Sequence, residues 1–155
     1  MGSTHMDLGI QMRALPTHKN SLVELIMHKG SCLCRAVKFE VSSSLEATDA
    51  CHCKQCRKWT GHFLASVEVP RDSLLINGSE HISWHHSSEK VRRGFCSKCG
   101  SSLFFDPVDT TKHNWIGIAL GAFDTPTKTT LGQHIFVAEK GDYYEINDGL
   151  PQNEH

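Results

Sequence analysis

Short runs of alternating apolar and polar residues recur along the chain, and they predict β-strands. Apolar side chains occupy every second position in residues 37–41 and again in residues 63–69, where Pro70 ends the run. Because successive side chains of a strand point to opposite faces, this two-residue period is typical of strands with one buried face. Further short apolar runs predict strands at residues 74–76, 82–84, 90–95, 103–105, 115–120, 134–138 and 143–146.

Turn-forming residues separate these runs, and helical periodicity is nearly absent. Asn77-Gly78 predicts a β-hairpin that joins strand 74–76 to strand 82–84. A short helix is predicted at residues 54–59, and residues 21–28 fit either one or two helical turns or an edge strand. Many short strands at spacings of about ten residues indicate an all-β sandwich, barrel or tent with at most one or two short helices.

Length and composition fit one globular domain. The chain has 155 residues, of which 39% are hydrophobic and 21% are charged, and these proportions are ordinary for a globular protein. Residues 1–6 look like an expression-vector remnant, and residues 7–28 are expected to form a loosely docked lead-in. Because there is no run of about 18 apolar residues and no signal-peptide pattern, the sequence predicts no membrane association and a cytoplasmic location.

The charge is nearly balanced overall but uneven along the chain. The net charge of −1 makes a general nucleic-acid binder an unlikely class. Residues 50–100 carry eight Lys and Arg against four Asp and Glu, whereas residues 101–155 carry three against eight. The middle of the chain therefore either receives a small anion or forms a solvated basic face.

The cysteines are the most informative residue type. An odd number in tight groups is a poor disulfide framework. In a reducing compartment such groups more often bind metal or react. The seven lie in three groups, Cys32 and Cys34, then Cys51, Cys53 and Cys56, then Cys96 and Cys99.

The first and last groups together offer four sulfurs. Cys32 and Cys34 share a face if they lie in a strand, and Cys96-x-x-Cys99 followed by Gly100 is typical of a zinc-binding turn. Four thiolates would close a tetrahedral structural zinc site. Two alternatives stay open here: Cys32 and Cys34 as small buried hydrophobic residues, or Cys96 and Cys99 as a redox pair.

The middle group offers three sulfurs in six residues. Three protein ligands leave the fourth position of a zinc ion open, as in catalytic sites, whereas closure by His52 or another histidine would make the site structural. Three thiolates weaken the Lewis acidity of zinc, so a substrate thiol suits the open position better than water does. Nearby basic residues would offset negative charge, receive substrate carboxylates, or simply be solvated, and these are Lys54, Arg57 and Lys58.

Three cysteine-bearing segments carry a family resemblance. They are residues 29–37 (KGSCLCRAV), 51–58 (CHCKQCRK) and 93–100 (RGFCSKCG), followed by GAFD at 121–124, HIFV at 134–137 and DGLP at 148–151. In this order the motifs resemble the glutathione-dependent formaldehyde-activating enzyme and centromere protein V family, over about residues 29–151.

The resemblance implies a zinc-stapled β-tent of short antiparallel sheets over residues 29–151, with two zinc ions per chain. It implies carbon–sulfur lyase chemistry, in which glutathione and formaldehyde combine to S-hydroxymethylglutathione or separate again. It assigns Cys32, Cys34, Cys96 and Cys99 to a structural zinc and Cys51, Cys53 and Cys56 to a catalytic zinc, and it assigns no general base.

The sequence also departs from the family pattern. Arg35 stands where the family commonly has glycine, and Tyr143-Tyr144 stands where it commonly has tryptophan. The alternative to a lyase is a non-catalytic zinc module that binds a protein or chromatin partner. A third hypothesis is a metal-free redox dithiol protein that uses Cys96/Cys99 or Cys53/Cys56.

Overall fold

The computed structural model describes residues 27–155, which form ten strands, one α-helix and four short 3-10 turns. The helix α1 spans Lys54–Thr60 and lies between the third and fourth strands. The 3-10 turns are Arg71–Ser73, Ser79–His81, Leu120–Ala122 and Val137–Glu139. The strands are β1 His28–Ser31, β2 Lys38–Val41, β3 Ala47–Cys51, β4 Leu64–Pro70, β5 Leu74–Asn77, β6 Ile82–His86, β7 Val91–Cys96, β8 Ser102–Pro107, β9 Trp115–Ala119 and β10 Gln133–Ile135.

The strands form two sheets, which confirms the all-β prediction. The smaller sheet has the order β1-β2-β5, and the larger has the order β10-β3-β4-β9-β8-β7-β6. All pairs are antiparallel except β10 with β3, which run parallel. The larger sheet carries most of the candidate chemistry, because α1 follows directly on its strand β3.

The hydrophobic core lies between the two sheets. Phe39 of β2 packs edge-on against Phe104 of β8, with ring centroids 5.8 Å apart. Val67 and Val69 of β4 are buried on the same side, whereas Ser66 and Glu68 point to the opposite face. The two-residue period predicted from the sequence therefore places apolar side chains in the core and leaves the other face of the large sheet free to build a cavity.

The predicted helix is confirmed, and its ends have local causes. At the N-terminus the sulfur of Cys53 accepts a hydrogen bond from the backbone N–H of Cys56, at 3.3 Å. At the C-terminus the N–H of Gly61 donates to the carbonyl of Arg57 at 2.9 Å, which satisfies one of the carbonyls left free at a helix end.

The predicted Asn77-Gly78 hairpin is wrong. β5 pairs with β2 in the small sheet, and β6 pairs with β7 in the large sheet. Gly78 does turn the chain, with a φ of 79° and no room for a side chain, since a Cβ there would lie 2.0 Å from the carbonyl oxygen of Ala36. The predicted turn at Asn77-Gly78 is therefore present, but packing between distant segments determines which strands pair.

The last third of the chain also differs from the prediction. The run 134–138 contributes only β10, because Phe136 adopts a left-handed conformation with a φ of 55° and a 3-10 turn follows. Residues 143–146 form no strand. β3 was not predicted, since its sequence Ala-Thr-Asp-Ala-Cys has small and polar side chains in place of a clear apolar alternation.

Two predictions concern residues that lie before residue 27 or end just after it. The lead-in at residues 7–28 and the helix-or-strand alternative at residues 21–28 lie almost wholly outside residues 27–155. The domain boundaries at residues 6, 28 and 151 stay predictions. Within residues 27–155, no helix is long and apolar enough to cross a bilayer.

Candidate functional site

Four cysteines from two distant segments converge at one end of the core. The sulfur atoms of Cys32, Cys34, Cys96 and Cys99 all lie within 4.8 Å of one another. Cys32 and Cys34 follow β1, and Cys96 ends β7 with Cys99 in the turn after it. The structure therefore brings together the four residues that the sequence grouped into one site.

Cys32 and Cys34 lie in a tight turn and not on one face of a strand, so the predicted strand geometry is wrong here. The N–H of Arg35 donates to the carbonyl of Cys32 at 2.9 Å, and the N–H of Val37 donates to the Cys32 sulfur at 3.3 Å. Arg35 closes the turn with a φ of 62°. Glycine adopts this left-handed conformation without steric cost, which fits the glycine that the family resemblance implies at this position.

The geometry of this first cluster fits a four-sulfur metal site. Zn–S bonds of about 2.3 Å place the sulfurs of a tetrahedron about 3.8 Å apart. The sulfur of Cys34 lies 3.6 Å from that of Cys32 and 3.8 Å from that of Cys96. A hydrogen bond from the Ser101 hydroxyl lowers the pKa of Cys99 to about 5, which favours the thiolate that a metal binds.

The remaining three cysteines form a second cluster where β3 meets α1. The sulfurs of Cys51, Cys53 and Cys56 lie within 4.8 Å of one another. Cys51 ends β3, Cys53 precedes α1, and Cys56 lies in the first turn of α1. Hydrogen bonds from Cys51 and then Cys56 lower the pKa of Cys53 to about 2, and the same contact with Cys53 raises the pKa of Cys51. Three sulfurs this close together are suited to a shared metal ion, whose binding would release the thiol protons.

His52 lies between two of these cysteines but points away from the cluster. Its side chain is fully buried. Its Nδ1 contacts the hydroxyl of Tyr144, and its Nε2 lies 2.8 Å from Nδ1 of His134. Since both ring nitrogens are engaged, His52 cannot complete a metal site at the second cluster without breaking these hydrogen bonds, so the three sulfurs remain a three-ligand set.

The hydrogen bonds of His52 belong to a chain that runs from Asp148 to Tyr144. Asp148 Oδ2 lies 2.8 Å from Nε2 of His134, and the hydrogen bond from His134 lowers the pKa of Asp148. The carboxylate therefore accepts from His134 Nε2–H, and the other two hydrogen bonds join His134 Nδ1 to His52 Nε2 and His52 Nδ1 to the Tyr144 hydroxyl. Burial, and then His134, lowers the pKa of His52 to about 4, and burial raises the pKa of Tyr144, so both stay neutral.

A cavity of about 630 Å³ opens directly beside the second cluster, and all three of its cysteines line the cavity. Its floor is the outer face of the large sheet, where Phe105 and Trp115 stack with ring planes 4° apart. A volume of this size lies within the range of small-molecule sites. The second cluster therefore has access to a ligand.

The cavity contains charges of both signs. Asp49 and Glu68 lie on the strands beside Cys51, and burial, followed by the charge of Asp49, raises the pKa of Glu68. Lys54 at the start of α1 and Arg93 of β7 supply the positive charges. Such a lining suits a zwitterionic ligand better than a purely apolar one.

The basic residues that border the cavity differ from those the sequence singled out. Lys54 lines the cavity as expected, but Arg57 and Lys58 lie outside its lining, and Lys58 is exposed. Arg93 was missed, although it stands three residues before Cys96 in one of the motifs. Only the pairing of β7 with β8 shows that its side chain points toward the cavity.

Comparisons with known proteins agree with this architecture. The chain matches the model of the glutathione-dependent formaldehyde-activating enzyme family over residues 27–139. An uncharacterized lyase of Schizosaccharomyces pombe is 28% identical over 120 residues, which cover 77% of this chain and 85% of that protein. A crystal structure of a Rhodobacter sphaeroides protein shares the fold, with a TM-score of 0.53 and 21% identity over 63% of this chain and 89% of that chain.

A further relative, from Halomonas elongata, is provisionally named a glutathione-dependent formaldehyde-activating enzyme. It is 35% identical over 88 residues, which cover 51% of this chain and 56% of that protein. The chain thus matches just over half the length of this relative. The family expected from the cysteine motifs is confirmed by the match over residues 27–139, and the chain belongs to the glutathione-dependent formaldehyde-activating enzyme family.

Proposed function

We propose that this protein is a zinc-dependent carbon–sulfur lyase that acts on the adduct of a thiol, such as glutathione, with an aldehyde, such as formaldehyde. The observation that carries the proposal is the set of three cysteine sulfurs, Cys51, Cys53 and Cys56, at the wall of a 630 Å³ cavity. The lyase name of one relative and the formaldehyde-activating name of another support the same reaction class.

Both clusters would hold zinc, in different roles. Cys32, Cys34, Cys96 and Cys99 would form a closed structural site, because four thiolates satisfy tetrahedral zinc and tie β1 to β7. Cys51, Cys53 and Cys56 would hold the catalytic ion. When bound there, zinc supplies a Lewis-acidic position that favours the thiolate form of a fourth sulfur.

The reaction needs the chain to orient a thiol and an aldehyde. In the synthetic direction a C–S bond forms, the π pair of the carbonyl moves to oxygen, and that oxygen takes up the proton lost by the thiol. The reverse direction breaks the same bond and returns the proton to sulfur. Phe105 and Trp115 give the cavity an apolar floor beside the cysteines, which limits the water that competes for the aldehyde carbon.

The charges of the cavity are compatible with glutathione as the thiol. Glutathione carries one ammonium group and two carboxylates. Asp49 and Glu68 offer carboxylates to the ammonium group, and Lys54 offers a cation to a carboxylate. This complementarity supports a zwitterionic thiol over a simple alkyl thiol.

The test is the rate of adduct exchange, measured by NMR with glutathione and formaldehyde and the zinc-loaded protein. Cys53→Ser is the sharpest variant, because serine keeps the N-terminal cap of α1 but is a poor zinc ligand. We expect this variant to fold and to lose at least about 100-fold in rate. Lys58→Ala, on an exposed face of α1 outside the cavity, should keep the wild-type rate.

Metal analysis separates the alternatives. Two zinc ions per chain, one of which a mild chelator removes quickly, would support one closed site and one open site. A metal-free protein with freely titrating thiols would favour the redox alternative. A folded, zinc-loaded protein that does not accelerate adduct exchange with any thiol would overturn the lyase proposal and leave the non-catalytic binding module.

A further inference from the structure

Arg93 is a buried cation that makes no direct ion pair with a carboxylate of residues 27–155. Arg93 is only 3% exposed to solvent, although it lines the cavity. Within residues 27–155, its guanidinium has no carboxylate oxygen within 4 Å. Charged side chains are seldom buried to this degree without a partner of opposite charge, so the arginine calls for one.

The contacts of Arg93 identify that partner. Nη2 donates to the sulfur of Cys56 at 3.6 Å, and Nε donates to the hydroxyl of Ser87 at 3.2 Å. The guanidinium carbon lies 5.1 Å from the ring centroid of Phe105, which holds the planar group in place. Of these contacts, only the sulfur can carry a full negative charge.

The neighbouring arginine shows the contrast. Arg92 points to the other face of β7, where Nη2 lies 2.8 Å from Oδ2 of the buried Asp106. Asp106 also pairs with Arg71, at 2.6 Å. On that face the buried carboxylate of Asp106 is paired by two partly exposed arginines, whereas on the cavity face the buried Arg93 contacts a cysteine of the second cluster and no carboxylate.

We propose that Arg93 is the counter-charge of the Cys51–Cys53–Cys56 cluster and that it holds Cys56 in position so that the metal-loaded cluster accepts an anionic fourth sulfur. Three thiolates around a divalent ion carry a net charge of −1, which the guanidinium brings to zero. A substrate thiolate then joins a neutral site rather than a negative one. This inference rests on the proposed function only in treating the cluster as a metal site.

The charge balance has consequences for both metal and thiol. Without the guanidinium, the metal-loaded cluster would be a buried anion, and a second anion would meet repulsion at close range in a poorly screened cavity. Partners of metal ligands typically contribute about 10- to 100-fold in metal affinity. We therefore expect Arg93→Met to weaken zinc binding at the second cluster by about 10- to 100-fold while the four-cysteine site keeps its affinity.

The first measurement is zinc affinity by competition with a chromophoric chelator, without substrate. Arg93→Lys retains the charge and should recover most of the affinity lost in Arg93→Met. Arg92→Met is the matched control, because it removes an arginine from the same strand on the opposite face. Circular dichroism and thermal melting establish that each variant is folded before its affinity is compared.

The second measurement uses the cobalt-substituted protein and 2-mercaptoethanol as the probe thiol. The sulfur-to-cobalt charge-transfer absorption reports the fourth sulfur directly. At saturating cobalt, Arg93→Met should raise the dissociation constant of the thiol by about tenfold or more, whereas Arg92→Met should leave it unchanged. A residue that only supported the fold would not produce this selective loss.

Specific results would overturn the inference. One is a zinc affinity of the second cluster in Arg93→Met that lies within twofold of wild type. The others are a loss of that affinity in Arg93→Lys or in Arg92→Met as large as the loss in Arg93→Met. If Arg93→Met does not fold, Ser87→Ala replaces it, because this substitution removes only the hydrogen bond to Arg93 Nε. Ser87→Ala should then weaken zinc binding at the second cluster, and an unchanged zinc affinity would overturn the role proposed for Arg93. These measurements use neither aldehyde nor glutathione. They therefore test the role of Arg93 even if the protein proves not to be a lyase.

Discussion

His52 Nε2 and His134 Nδ1 share a hydrogen bond of 2.8 Å, although the two residues are 82 positions apart in the chain. The bond joins the loop between Cys51 and Cys53 to strand β10, which pairs in parallel with β3. Both histidines are buried, so neither can exchange this hydrogen bond for water. The position of the loop that carries His52 therefore depends on strand β10, which contains His134.

Removal of His134 should destabilise the protein. His134→Ala leaves Nε2 of His52 buried without its hydrogen-bond partner, which costs about 1–3 kcal/mol. Urea unfolding in zinc-containing buffer measures the change in the free energy of unfolding. His86→Ala, at the exposed end of β6, is the control and should change it by less than about 0.5 kcal/mol. Equal effects of the two substitutions would contradict the role given to the His52–His134 bond.

Arg35→Gly should stabilise the first cluster. Arg35 has a φ of 62°, and the left-handed region costs about 1–2 kcal/mol for a residue with a side chain. Part of this gain is lost because glycine is more flexible in the unfolded chain, so we expect a net increase of about 1 kcal/mol in the free energy of unfolding.

Lys38→Gly is the matched comparison for Arg35→Gly. Lys38 is also exposed, but it lies in strand β2, where glycine lowers stability. Thermal melting should therefore move in opposite directions for the two variants. A fall in melting temperature for both would show that the conformation of Arg35 carries no strain.

Glu68→Gln should stabilise the protein at neutral pH and not in acid. Burial, followed by the charge of Asp49, raises the pKa of Glu68 above its ordinary value of 4.5. A carboxyl with a raised folded-state pKa favours the folded state below its unfolded pKa, and that contribution is lost as the pH rises through the folded pKa. The glutamine variant should thus be more stable than wild type at pH 7, with the difference shrinking toward pH 4.

Urea unfolding at several pH values from 4 to 7 tests the Glu68 prediction. Glu40→Gln is the control, because Glu40 pairs with Lys29 at 3.2 Å on the surface and such pairs contribute little. A Glu68→Gln variant that is less stable than wild type at pH 7 would show that a cation in the folded protein already compensates this carboxylate.

Convergence within each cysteine group could be predicted from sequence because it depends on local spacing, whereas the contact between Cys34 and Cys96 joins residues 62 positions apart. Cys51, Cys53 and Cys56 lie within six residues, and Cys96 and Cys99 lie in one turn, so their convergence needs little long-range information. The short helix could be predicted for the same reason. The geometry of the Cys32 turn could not, since it depends on a left-handed arginine that propensities do not favour.

The residues around the second cluster depend on strand register and on contacts across the whole chain. Arg93 faces the cavity because β7 pairs with β8 in one particular register, in which Arg93 lies opposite Phe105. A shift by one residue would exchange it with Arg92. Asp49 was missed because β3 has no apolar alternation strong enough to predict a strand.

The long-range hydrogen bonds of His52 also set an order of events during synthesis. The three cysteines of the second cluster leave the ribosome early, but Tyr144 and His134, which orient the intervening histidine, follow 92 and 82 residues later. Until those residues emerge, the cysteines belong to a flexible thiol-rich segment open to any soft metal ion. The finished pocket is consequently assembled only after residues 134–144 have been synthesised.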